Sequence, residues 1–247
     1  MPVTKPYKRT IRPFTNDSYS PDSYVYHTAY AQSPEQYVRA FLLLQKDLLS
    51  LFEYIEPSDK NLPTYSYRVH QLILRTCVEF EANCKAILKE NDYKNPKKTM
   101  EYWNIADYEK INKTHHLSSY EVVFPIWNGP KKTRKPFQDW SNNKQLSWYN
   151  VYNQTKHDRH TNFELATFDA LLDAITGLLV ILSSQFYDND FVPGKSYLLL
   201  ESSKSGIGEY FEVVYPNDWK DDEKYGFTSQ DWQQLKSAAD PFQKHNY

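Results

Sequence analysis

The densest run of reactive side chains lies between Trp148 and His160, in the order Trp-Tyr-Asn-Val-Tyr-Asn-Gln-Thr-Lys-His-Asp-Arg-His. Wound as a helix, it sets Tyr149, Asn153, His157 and His160 along one side, because residues three and four apart are neighbours there. Lys156 lies beside them, and Asp158 and Arg159 fall at the helix end. An imidazole titrates near neutral pH, so His157 suits a general base. Lys156 and Arg159 suit a phosphate. Burying a Lys, two His, an Arg and an Asp without partners is costly, so they either line a cleft or form a satisfied junction between helices. In the junction, Asp158 would pair with an Arg or Lys and His157 would cap helix-end carbonyls. Arg75, Glu79 and Glu81 on an earlier helix are the candidate partners. Glu79 follows Arg75 by four, which predicts an intrahelical pair. If Arg75 or Glu81 instead faces the later helices, it completes the cluster.

Other chemistries lack their residues. There is no Gly-rich phosphate loop: Gly206 and Gly208 are followed by Glu209-Tyr210, which predicts a hairpin turn. No Gly-x-Ser-x-Gly elbow and no His-Glu-x-x-His helix occur. His157 and His160 lack a carboxylate at metal-site spacing, His115-His116 sits in a polar segment that predicts exposure, and no metal or other cofactor is expected. Cys77 and Cys84 are seven apart on one helix and read as small apolar core residues.

Positioning these residues requires helices. Ser33, Pro34 and Gln36 predict a capping box, and an apolar stripe runs from Tyr37 to Ile55, where Pro57 stops it. A second helix is predicted over Tyr65–Lys89, a third over Gln145–Arg159, and a fourth, nearly apolar all round, over Phe163–Phe186. Residues 1–32, with four prolines, predict an extended arm. Residues 91–143 are an irregular insertion with a short strand at Glu121–Ile126 and a helical turn at Asp107–Lys113. From Phe191 onward, strands at Ser196–Glu201 and Tyr210–Tyr215 predict a β-hairpin packed on the bundle, followed by a short helix within Thr228–Ala239. The fold class expected is mainly α, an antiparallel helical bundle (33–190) with a long insertion and a C-terminal β-hairpin and tail (191–247).

The chain has 247 residues, 29 Lys+Arg and 31 Asp+Glu, and a mean hydropathy of −0.75. That balance excludes a globally basic nucleic-acid coat. Net charge is +1 over residues 1–90, +5 over 91–160 and −8 over 161–247. The basic middle interleaves Lys94, Lys97, Lys98, Lys131, Lys132, Arg134 and Lys135 with Trp103, Trp127, Phe137 and Trp140. That mix suits a phosphate backbone with unstacked bases, or else a solvated loop with aromatic anchors in the core. No apolar stretch approaches the roughly 18–20 residues of a membrane span, and the opening MPVTKPYKRTIRPF lacks a signal-peptide core. The expectation is a soluble, reduced, cytoplasmic chain with no membrane partner.

The helices carrying Arg75-Thr76-Cys77-Val78-Glu79-Phe80-Glu81 and Tyr152-Asn153-Gln154-Thr155-Lys156-His157, followed by a very apolar helix, resemble the HEPN superfamily, in particular uncharacterised bacterial HEPN-like proteins. The resemblance covers residues 33–90 and 145–187. It implies an RNA- or nucleotide-directed domain, in many members a metal-independent endoribonuclease of defence or RNA-processing systems, with two motif copies meeting across a homodimer cleft. The family motif is Arg, a polar residue, then His after four to six intervening residues. His157 matches the histidine and Asn153 the polar residue, while Tyr152 stands at the arginine position. The resemblance thus implies His157 as base, Asn153, Lys156 and Arg159 as the groups that orient and neutralise the phosphate, and Tyr149, Tyr152, His160, Arg75 and Glu79 as flanking binding residues. Inactive members that only bind or oligomerise are the alternative.

Overall fold

The structure is a computed structural model that describes residues 1–19, 21–189, 191 and 210–247. Its helices are α1 (Pro34–Phe52), α2 (Tyr67–Glu90), α3 (Ile105–Tyr108), α4 (Asn112–His115), α5 (Gln138–Ser141), α6 (Ser147–His157), α7 (Arg159–Asn162), α8 (Phe168–Phe186) and α9 (Ser229–Leu235), and its strands are β1 (Glu121–Val123), β2 (Thr133–Arg134) and β3 (Glu212–Val214). Mainly α with a small antiparallel sheet is the class observed.

α8 is the hub. Of the sixteen residues from Leu171 to Phe186, fifteen are buried, half-buried Asp173 being the exception, and α2, α6 and α1 pack around it. By length and composition this 19-residue helix could cross a membrane, contrary to the sequence expectation, but 89% of the stretch is buried inside the fold. It is therefore the core helix of this chain. Gly177 lets α6 approach it: a Cβ there would stand 3.1 Å from the Trp148 ring. Thr167 caps α8 by accepting from the Ala170 N–H at 3.3 Å. That cap, with the Tyr65–Thr167 bridge, starts the helix at Phe168. Residues Phe163–Leu165 form a separate 3₁₀ turn.

The other boundaries also have local causes. Ser66 caps α2 through a 3.2 Å bond from the Val69 N–H. The capping box predicted at α1 does not form. Ser33 is left-handed (φ 47°, ψ 53°) and its hydroxyl caps nothing. Glu90 explains the entry: its carboxylate accepts the preceding Gln32 N–H at 3.2 Å and the Arg9 Nε at 2.7 Å, and so fixes the chain just before Pro34.

The sheet runs β2–β1–β3, all antiparallel, with Val122 facing Arg134 and Val213. The strand expected at Tyr210–Tyr215 thus pairs with the insertion; its expected partner, Ser196–Glu201, and the Gly206–Gly208 turn lie outside the described residues. Residues 1–19 are held against the C-terminal tail by bridges from Val3 and Phe14 to Tyr225 and from Tyr7 to Gln243. Arg9, fully buried, reaches from this arm to Glu90, Gln185 and the Gln32 carbonyl.

The arm overturns one exposure expectation. His115 is fully buried beneath it, with Nε2 2.9 Å from the Arg9 carbonyl and Nδ1 2.8 Å from Thr114 Oγ1. Its neighbour His116 is half-buried and stacks on Trp219 at 3.8 Å. The basic–aromatic interleaving of the middle third also resolves into its bland form. Trp103, Trp127, Phe137 and Trp140 are all core residues, so they offer no open face to a base. Arg134 likewise turns inward, onto Asp169 (2.6 Å) and Asp173 (2.7 Å). Burial pushes Asp173 up to about 6, against the pull of Arg134.

Candidate functional site

Three faces of α6 do three jobs. Trp148, Tyr149, Tyr152 and Thr155 turn inward. Asn150, Val151 and Asn153 are half-buried, and Gln154, Lys156 and His157 reach the surface. The helix ends two residues earlier than expected. Asp158 leaves the helical region (φ −140°, ψ 77°), and its carboxylate accepts the Thr161 N–H at 3.2 Å. Asp158 thereby stops α6 and caps α7. Its pKa falls, chiefly through those Thr161 hydrogen bonds. Among the described residues it takes no Arg or Lys as partner, unlike the predicted junction.

The inward face is a brace to α2. Tyr149 Oη donates to Glu81 at 2.8 Å. Burial first, and Glu81 next, push the Tyr149 and Tyr152 phenols far up, so both stay protonated. Lys156 Nζ donates to Tyr152 Oη at 3.0 Å and sits 4.8 Å from that ring's centre. Of the α2 candidates, Glu81 faces α6 and Arg75 does not. Arg75 takes Asp47 of α1 as its ion-pair partner in place of Glu79. Arg75 and half-buried Glu79 lie together along the groove between α1 and α2, away from His157.

The outward face is open. His157, Arg159 and His160 are all exposed, and His157 has no hydrogen bond or ion pair with any described residue. It does not cap the α6 carbonyls. A histidine in the last helical turn is nonetheless favourably placed toward the C-terminal dipole when protonated. Asn153 stands one turn before it on the same side.

The fold adds residues that the spacing within α6 could not reveal. Arg159 lies over the ring of Tyr67, 5.6 Å from its centre. Tyr67 is 60% exposed and packs on Phe163 at 4.6 Å, and Tyr65 meets Phe163 edge-on at 5.5 Å. One turn along α2, His70 is 4% exposed, lies edge-on to Phe163 at 6.0 Å, and its Nε2 has no partner among the described residues. Burial lowers its pKa, against a hydrogen bond to the Thr155 backbone, and Arg159 adds to the lowering. The only sequence signal was the three-residue spacing of Tyr67 and His70, which has meaning only once α2 is known to lie along α6.

The end of α6 therefore combines an imidazole with no partner among the described residues, two exposed cations, a second histidine and two exposed phenol rings. This set can hold a phosphate, stack on a base and accept a proton. Among the described residues no group of three or more His, Cys, Asp or Glu is placed to hold a metal ion. Comparisons with family models, with curated proteins and with solved structures gave no match to the chain.

Proposed function

We propose that this is an HEPN-like, RNA-directed protein whose α6 end cleaves RNA without a metal. The observation that carries the reading is His157: exposed, without a side-chain partner among the described residues, and flanked by Lys156 and Arg159. In the reaction, the neutral imidazole takes the proton of a ribose 2′-hydroxyl. The 2′-oxygen then attacks the adjacent phosphorus, and the 5′-oxygen leaves with a proton from the His160 imidazolium or from water. A 2′,3′-cyclic phosphate remains. Lys156 and Arg159 neutralise the charge on the pentacoordinate phosphate, where electrostatic stabilisation matters most. Asn153 orients the phosphate, and Tyr67 offers its ring to a neighbouring base.

The family's arginine position bears on this directly. Tyr152 is neutral and buried, yet Lys156 Nζ sits at its hydroxyl. The charge that an arginine at 152 would carry is thus supplied by Lys156 from the next turn. Two copies of the chain, meeting as a homodimer, would bring two such ends to one cleft.

A second reading is a non-catalytic HEPN-like binding or oligomerisation module. The Tyr149–Glu81 and Lys156–Tyr152 bonds favour it, because a lysine already engaged in a brace is less free to hold a phosphate. Incubating metal-free protein with a panel of RNAs, with EDTA present, separates the two. Cleavage supports the first reading. Binding without cleavage supports the second, and neither binding nor cleavage refutes both.

A further inference from the structure

One face of the bundle has no cover. The inner sides of α1 and α2 pack on α8, and on the outer side two hollows, of about 730 Å³ and about 290 Å³, follow the seam between the two helices. Residues 47–55 share the larger hollow with 64–75, and residues 40–44 share the smaller with 74–79, so the helices run antiparallel. Leu43 and Val78, each 53% exposed, and Tyr54, 83% exposed, stand along this side. Apolar side chains gathered on one exposed face mark a site of protein contact.

The charges show what fits it. Asp47 and Arg75 pair across the seam and set the two helices level at that point. Each residue then advances about 1.5 Å along its helix. Glu53 stands about 9 Å along α1, and Arg68 about 10.5 Å along α2 at the same end. Toward the other end Glu35 is about 18 Å from the pair and Lys85 about 15 Å. Leu43 and Val78 lie between, about 6 Å and about 4.5 Å from it. The level of half-buried Glu79 falls between those of Arg39 and Lys46. Every carboxylate from the start of α1 to its cap Glu53 is thus level with a cation of α2. Yet Glu35, Glu53, Arg68 and Lys85 have no ion-pair partner among the described residues.

A two-fold axis lying in this face, parallel to the helices, sets α1 of one copy on α2 of the other and keeps these levels. Glu53 then meets the partner's Arg68, Glu35 the partner's Lys85, and Leu43 the partner's Val78, each contact made twice. Each Tyr54 arrives at the level of the partner's larger hollow. An axis across the helices would set Asp47 on Asp47 and Arg75 on Arg75, which like-charge repulsion disfavours. The four helices make an antiparallel bundle. Its face is about 27 Å long from Glu35 to Glu53 and about 20 Å wide. That is about 500 Å² on each copy, and the total of about 1,000 Å² reaches what a specific interface needs.

We propose that the outer face of α1 and α2 binds a second copy of this chain in this register. The proposal rests on the homodimer of the reading above, whose face it names, and it keeps both α6 ends at one end of the pair.

The test is sedimentation of the full chain from about 1 to about 200 µM. A reversible shift from the 29.3 kDa chain to twice that mass is expected within this range. Leu43→Glu/Val78→Glu changes two exposed residues and should weaken the dimer about tenfold or more with an unchanged melting profile. Glu53→Arg should weaken it about three- to tenfold, and adding Arg68→Glu should restore it. The register is read by disulfide formation: an oxidised mixture of Leu43→Cys chains with Val78→Cys chains should cross-link faster than either variant alone. A chain that stays monomeric throughout overturns the proposal. So does a dimer untouched by Leu43→Glu/Val78→Glu, or a mixture that cross-links no faster than its components. RNA cleavage in EDTA is measured apart. Cleavage by a monomer sinks this proposal and spares the cleavage reading, and a dimer of this register that cuts no RNA does the reverse.

Discussion

Acid should loosen the seal between the arm, the insertion and the tail. His115 and His245 meet there around Thr10, whose Oγ1 lies 3.3 Å and 2.9 Å from their Nε2 atoms. His245 also stacks on Tyr7 at 4.0 Å and receives its backbone position from Asn91 at 2.9 Å. Burial drives His115 down to about 3, against the hydrogen bond to the Arg9 carbonyl, and drives His245 well below its ordinary value, with His115 lowering it further; Arg12 lowers both. The unfolded chain takes up a proton on each near pH 6.5, and the folded chain does not. The stability these residues contribute is thus complete above pH 6.5 and is lost as pH falls toward 3. For His115, a shift from 6.5 to about 3 gives about 2 kcal/mol lost between pH 7.5 and 5. His245 adds a loss of the same sign. Urea unfolding at pH 7.5, 6 and 5 reads the total. Comparison with His115→Gln, which cannot titrate but keeps a donor toward the Arg9 carbonyl, isolates one share. The variant's stability should vary with pH by about 2 kcal/mol less than the wild type's over that range. An identical pH profile for variant and wild type would refute the argument, because His115 would then be free to protonate in the folded state.

Three further outcomes follow from the brace, the core ion pair and the open rings. Tyr149→Phe leaves the Glu81 carboxylate short of a donor and should cost about 1–2 kcal/mol in chemical denaturation. Arg134→Ala strands Asp173 and should cost about 2–3 kcal/mol, less than a sealed pair because Asp169 is half exposed. Tyr67→Ala should leave the thermal midpoint within a degree or two, since the ring is 60% exposed. The same variant should weaken single-stranded RNA binding about five- to 150-fold, the range of one lost base stack.

The helices were legible because their apolar residues recur at three and four residues, and the helix expected over Phe163–Phe186, nearly apolar all round, is the hub α8. Boundaries set by side chains were not. Ser33 looked like a cap but serves a turn fixed by Glu90 and Arg9, 57 and 24 residues away in sequence. Asp158 looked like an ion-pair partner but is the cap that breaks the helix. His115 looked polar and loose because nothing local says that residues 9 and 10 will cover it. At the candidate site, the α6 residues were visible as one side of a helix. The ring of Tyr67, the buried His70 and Phe163 join that side only through the packing of α2, which periodicity does not specify. Arg75 and Glu79 failed to reach the cluster for the same reason: their side of α2 faces α1.

The central claim is that His157 is a base at an open, cationic helix end. Its most direct measurement is the initial rate of RNA cleavage by wild type and His157→Ala side by side, in EDTA, with product ends analysed. Metal-independent cleavage leaving 2′,3′-cyclic phosphate, reduced about 10²-fold or more by the substitution, is the result predicted. Equal rates for the two proteins, or a clean wild type inert toward every RNA offered, would contradict it.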